Sequence, residues 1–126
     1  MDSLILIKIG GIYHIGFALF HIMFWKIFKW KEDLSGLKRV NSAIMQVLNL
    51  CLTFCFIFFA YISLFHTEEL ILSAIGRSIL VFIAIFWLMR AIEQFIFFNY
   101  KRAASIVIIV LCLLGFCLYI YPLFFM

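Results

Sequence analysis

Charged residues are scarce in this chain. Asp, Glu, Lys and Arg make up 13% of its 126 residues, and hydrophobic residues make up 68%. An average soluble domain is about a quarter charged and about half apolar. A compact soluble protein of this size would have to build much of its surface from Phe, Ile and Leu. The composition therefore excludes a soluble enzyme and a disordered chain, and it indicates that the solvent is lipid.

Motifs for chemistry are also lacking. The sequence has no nucleophile elbow, no H-E-x-x-H and no glycine-rich phosphate loop. Its four cysteines lie inside apolar runs and have no C-x2-C spacing, so we interpret them as small hydrophobic residues. These absences favour a non-catalytic protein without a metal site or a disulfide framework.

Long apolar runs are the main feature of the sequence. Four runs each contain the ~20 residues that a helix needs to cross a hydrocarbon core ~30 Å thick. None of them has the alternation of a membrane barrel strand. We predict an all-α membrane protein, an antiparallel bundle of four transmembrane helices. It forms one domain over residues 1–126, with helices at about 4–28, 38–65, 68–99 and 102–123.

Basic residues concentrate in two of the links between these runs. Lys26, Lys29, Lys31, Lys38 and Arg39 occupy the first link, and Lys101 and Arg102 occupy the third. The positive-inside rule places both links in the cytoplasm and both termini on the outer side, with Tyr119 in the outer aromatic belt. Topology thus explains the net charge of +4 without a nucleic-acid partner. We expect an integral protein of the bacterial inner (cytoplasmic) membrane.

Polar side chains within the apolar runs fall at a common depth on three helices. Polar groups in a membrane usually face the bundle interior, because a charge near its centre costs at least ~2.5–3.5 kcal/mol on insertion scales. Arg90 and Glu93, at i and i+3, are placed to form an ion pair. We predict one ligand-binding site in the cytoplasmic leaflet, made by His21, Gln46, Asn49, Arg90, Glu93 and Gln94, with His14 and Trp87 as secondary candidates.

The histidines do not fit a haem or metal site. His14 and His21 are separated by about 10 Å along one helix, too far to bind the same ion. His66 lies at the outer boundary, and no thiolate or carboxylate is level with His14. We therefore expect no cofactor. We expect each buried histidine to hydrogen-bond to a neighbouring carbonyl or hydroxyl group.

The polar layer leaves several interpretations open. It can hold the helices together through hydrogen bonds, or Arg90 can extend along its helix toward the headgroups. As a site, it suits a lipid-like or small anionic ligand, or an ion. The alternative function is an accessory or scaffold subunit of a larger membrane complex. In either case we expect the partners to be the lipid bilayer and either further copies of the chain or other subunits.

One further alternative is a membrane enzyme. Four helices, an outward N-terminus, a basic first link and polar residues at the start of the second helix resemble the membrane-associated eicosanoid and glutathione family. That family's Arg-x3-Asn-x2-Glu pattern falls on Ser42, Gln46 and Asn49, so neither its arginine nor its glutamate is present. The resemblance implies a trimer with a glutathione site in the cytoplasmic leaflet.

Overall fold

The computed structural model describes residues 2–125, in which helices joined by short links account for the fold and no strand occurs. Four of its helices, the first, fourth, sixth and seventh, are long and apolar enough to cross a membrane. The prediction of an all-helical membrane protein with four such helices is therefore confirmed. A short 3-10 turn, Leu34–Gly36, precedes the fourth helix. The helices are α1 (Ser3–Ile22), α2 (Phe24–Ile27), α3 (Trp30–Asp33), α4 (Arg39–Phe65), α5 (Thr67–Leu72), α6 (Ala74–Phe97) and α7 (Ala103–Phe124).

Two of the long helices are shorter than the sequence predicts. The predicted helix at 4–28 ends at Ile22, and the chain then turns through α2 and α3 with Lys29 in the left-handed region at φ 51°. The predicted helix at 68–99 is divided at Ser73, whose hydroxyl donates to the Glu69 carbonyl and accepts from the Gly76 N–H. Serine side chains that bond to nearby backbone compete with a continuous helix.

The long helices pack as two close pairs. α1 packs along α4 and α6 packs along α7, and the pairs meet mainly where α1 crosses α7. α4 and α6 approach each other chiefly through aromatic side chains. Phe56 of α4 stacks on Trp87 of α6, with ring centroids 5.6 Å apart and an interplanar angle of 10°. The backbones of α1 and α7 therefore approach each other closely, whereas aromatic side chains separate the backbones of α4 and α6.

Glycines allow the close approach of α1 and α7. A Cβ atom at Gly10 would lie 2.5 Å from the Tyr119 hydroxyl oxygen, and one at Gly115 would lie 2.6 Å from the Tyr13 hydroxyl oxygen. The Tyr13 hydroxyl in turn donates to the Leu111 carbonyl at 2.7 Å. Small residues at helix crossings are typical of membrane proteins. Lipid supplies no hydrophobic force between helices, so their association depends on close packing.

The Gly10→Ala variant is expected to be less stable than the natural protein by about 1–3 kcal/mol, because the added methyl group displaces the fully buried Tyr119 ring. Gly16→Ala in the same helix is the matched control, since nothing lies within 4 Å of its added methyl group. Alanine is also the better helix former, by about 1 kcal/mol. Unfolding in detergent, followed by circular dichroism, measures both variants. Equal stability of the two would contradict the close packing.

Candidate functional site

A network of buried polar side chains joins all four long helices. Nε2 of His14 on α1 lies 2.9 Å from the indole Nε1 of Trp87 on α6. Nδ1 of His14 lies 2.8 Å from the Gly10 carbonyl and 3.0 Å from the hydroxyl of Tyr119 on α7. That hydroxyl is 2.7 Å from the hydroxyl of Ser63 on α4. We call His14, Ser63, Trp87 and Tyr119 the His14 network.

The hydrogen bonds fix the state of His14 as a neutral imidazole with its proton on Nδ1. An indole N–H can only donate, so Nε2 of His14 must accept the bond from Trp87. The proton on Nδ1 then faces the Gly10 carbonyl and the Tyr119 hydroxyl, the kinds of partner expected for a buried histidine. Tyr119, which we expected in the outer aromatic belt, is instead buried because its hydroxyl belongs to this network.

Replacing His14 with leucine is expected to lower the free energy of unfolding by about 1–3 kcal/mol, because the Trp87 N–H is left buried without an acceptor. The tryptophan emission of the folded state is expected to shift as well. His66→Leu is the control, since His66 directly follows α4 and, within residues 2–125, its ring nitrogens contact only Tyr61 and Glu69. Chemical unfolding in detergent compares the two. A His14→Leu protein as stable as the control would contradict the structural role of the network.

At the other end of the molecule, two side-chain pairs join α1 and α2 to α4. Asn49 and His21 form reciprocal bonds: the Asn49 amide donates to the His21 carbonyl at 2.9 Å, and Nδ1 of His21 donates to the Asn49 Oδ1 at 2.8 Å. The Trp25 indole donates to the Gln46 Oε1 at 3.0 Å. The Gln46 amide nitrogen lies 3.3 Å from both the carbonyl and the hydroxyl of Ser42. These amides therefore serve to hold helices together.

A second chain of polar groups joins α6 to α7. The Arg90 guanidinium donates to the Gln94 Oε1 at 2.8 Å, and the Gln94 amide donates to the Ser105 hydroxyl at 2.7 Å. The guanidinium carbon lies 5.8 Å from the centre of the Phe98 ring. Gln94 lies one turn further along α6, and Phe98 directly follows the last residue of that helix. The Arg90 side chain therefore extends toward the end that carries the basic links.

A cavity of about 690 Å³ lies between the two helix pairs at this end. Its volume is within the range of small-molecule sites, about 300–1,000 Å³. Phe and Trp are the commonest residues in its wall, among them Phe17, Phe20, Phe24, Phe56, Phe86 and Trp87. The polar side chains that line it are His21, Arg90, Gln94, Asn99, Arg102 and Ser105. Within residues 2–125, no carboxylate lines this cavity.

The structure divides the predicted site residues into those on the cavity and those away from it. His21, Arg90, Gln94 and Trp87 line the cavity, whereas the other predicted residues do not. Asn49 is buried behind His21, Gln46 borders a separate shallow groove beside Trp25, and His14 lies in its own network. Glu93 is half-buried and forms no ion pair with Arg90 in the part of the chain that the structure describes.

Three polar side chains of the cavity were not predicted from the sequence. Arg102 was assigned to topology alone, since the positive-inside rule already explained a basic residue there. Ser105 was not included in the site because it lies in the first turn of the most apolar helix, and Asn99 was not included because it lies in the link between α6 and α7. Proximity of Arg102 to the end of the third apolar run is the one signal that connects it with Arg90 before the structure is known.

Neither a metal site nor a similarity to known proteins indicates the function. Across residues 2–125 there is no group of three or more His, Cys, Asp or Glu side chains that could hold a metal ion. All four cysteines are free, with Cys112 buried and the other three exposed. No protein-family model, curated protein or solved structure matches the chain. Function is therefore inferred from the residues of the cavity itself.

Proposed function

We propose that this protein is a non-catalytic membrane protein whose cavity binds a lipid-like or small anionic ligand in the cytoplasmic leaflet. The observation that carries the proposal is the charge of the cavity. Two arginines, Arg90 and Arg102, line a largely apolar chamber whose lining includes no carboxylate of residues 2–125. A ligand that complements this lining is negatively charged at one end and apolar at the other.

The position of Arg90 supports an anionic ligand. An arginine at this depth in a membrane usually pairs with an acid, because burial of an isolated charge is costly. Here its charge is met by the neutral Gln94 amide and by the face of Phe98. Neither contact carries a formal negative charge. In a cavity of low dielectric constant, an anion bound to Arg90 gains more Coulomb energy than it would in water.

The walls of the cavity support an amphipathic ligand. Most of the lining is aromatic or aliphatic, and the polar side chains are few. Pockets that combine apolar walls with a small number of placed polar groups bury most of a ligand and orient one end of it. The cavity also lies between α4 and α6, which contact each other chiefly through aromatic rings, and we propose that a ligand enters it there from the bilayer. A lipid-like molecule can reach such a chamber without crossing water.

We further propose that the long helices cross the membrane in alternating directions, with both termini on the outer side. The Ser3 hydroxyl donates to the Phe125 carbonyl at 3.3 Å, which supports placing the two termini together. The basic residues of the first and third links support a cytoplasmic location for the opposite end. In this orientation Arg90 and Arg102 belong to the cytoplasmic leaflet.

Reporter fusions test this orientation. Alkaline phosphatase is expected to be active when fused to the C-terminus and inactive when inserted at Gly36 in the first basic link. Green fluorescent protein is expected to give the reverse pattern, since it does not fold after export. The insertion at Gly36 serves as the internal control, because it lies among five basic residues that the positive-inside rule retains in the cytoplasm. An inactive C-terminal phosphatase would rule out the proposed topology.

Ligand binding is tested with a spin-labelled fatty acid, which quenches the fluorescence of Trp30 and Trp87 when it enters the cavity they line. In nanodiscs of phosphatidylcholine, Arg90→Gln is expected to weaken this binding about tenfold or more, since a hydrogen bond to a charged group contributes about 1.5–3 kcal/mol. The matched control is Arg39→Gln, an exposed arginine at the same end that does not line the cavity. Equal quenching in the natural protein and both variants would refute the proposed site.

A further inference from the structure

The two arginines of the cavity specify the headgroup of the ligand. We infer that the cavity selects a lipid phosphomonoester, a molecule with a terminal phosphate dianion and a hydrophobic chain. This inference rests on the proposed function and narrows it from anions in general to one chemical class. It depends on the two arginines in the lining of the cavity, on the absence of a carboxylate from that lining in residues 2–125, and on the apolar residues that form the rest of the wall.

Arg90 and Arg102 lie toward the same end of the cavity. Arg102 directly precedes the first residue of α7. The guanidinium of Arg90 extends along α6 toward it, since it bonds to Gln94 and lies over the Phe98 ring. The deeper part of the cavity, near Phe17, Phe56 and Trp87, contains no charged side chain of the described chain. Positive charge is therefore confined to the mouth, and the interior is apolar.

The amount of charge favours a phosphomonoester over other anionic headgroups. A carboxylate or a phosphodiester carries one negative charge, fewer than the two positive charges that Arg90 and Arg102 bring to the lining. A phosphomonoester carries about −1.5 to −2 at neutral pH and has three acceptor oxygens. Two arginine forks can bind these oxygens together, and Arg–phosphate pairs are among the stronger hydrogen bonds in proteins.

The Gln94 side chain orients this headgroup site. Its carbonyl holds the Arg90 guanidinium from one side and its amide is fixed to Ser105, so both α6 and α7 position the guanidinium. The guanidinium donors that do not face Gln94 have no acceptor in residues 2–125. They remain available to a phosphate at the mouth, while the hydrophobic chain extends toward the aromatic interior.

A competition experiment tests the headgroup preference. Lysophosphatidate and lysophosphatidylglycerol with the same acyl chain differ in the headgroup: the phosphate of the first is a monoester, and the phosphate of the second is a diester that carries a further glycerol. Each displaces the spin-labelled fatty acid from the natural protein in phosphatidylcholine nanodiscs, with tryptophan fluorescence as the readout. We expect lysophosphatidate to compete at about a tenfold lower mole fraction. Inorganic phosphate, added alone, is expected not to displace the fatty acid at the same concentration.

The Arg102→Gln variant separates this inference from the proposed function. It is expected to lose the preference for lysophosphatidate. The preference is measured as the ratio of the mole fractions at which the two lysolipids displace half of the bound fatty acid, so a weaker binding of the fatty acid itself by the variant does not alter the comparison. Lys101→Gln is the matched control, because Lys101 is the neighbouring cation and does not line the cavity. Equal competition by the two lysolipids, displacement by inorganic phosphate alone, or an unchanged preference in Arg102→Gln would overturn the inference. Failure of the fatty acid to bind the natural protein would instead refute the proposed function.

Discussion

The hydrogen bonds of His14 determine how the four long helices can be arranged. In lipid no water is available to satisfy a buried polar group, so each such group must find its partner within the protein. His14 bonds to Trp87, and Tyr119 connects His14 with Ser63, which places one side chain from every long helix at one point. Rotation of any of the four helices about its axis would leave a donor or an acceptor buried and unpaired. The register of the whole bundle depends on this network.

The same network explains why the helices are closely packed at one end of the molecule and enclose a cavity at the other. Near His14 the helices are close, and Gly10 and Gly115 let α1 and α7 approach each other. Toward the basic links the polar bonds run within each helix pair, from His21 to Asn49 and from Gln94 to Ser105. No such bond crosses from α4 to α6 in residues 2–125, and aromatic rings separate these helices. A cavity between the pairs follows from this distribution of bonds.

The sequence predicted the parts of this arrangement that depend on one helix at a time. Apolar length identified the four spans, and the cost of charge in lipid singled out Arg90 and Gln94. A helical wheel gives the direction of a side chain relative to its own helix, but not the rotation of that helix against its neighbours. For that reason Asn49 was placed in the same site as Arg90, whereas it bonds to His21 on the adjacent helix. Arg102 was not assigned to the site, because the positive-inside rule already accounted for a basic residue at that position.

Trp87 belongs both to the His14 network and to the wall of the cavity. Its N–H is held by His14, its ring stacks on Phe56, and the same side chain lines the cavity. The His14 network therefore fixes the Trp87 side of the cavity wall. The part of the wall near the basic links is held by hydrogen bonds within each helix pair. A ligand that binds both pairs would add the cross-connection that α4 and α6 lack. A ligand that bound the folded state alone would raise the free energy of unfolding by RT ln(1 + [L]/Kd). Its contacts would lie at the end of the bundle that contains the cavity.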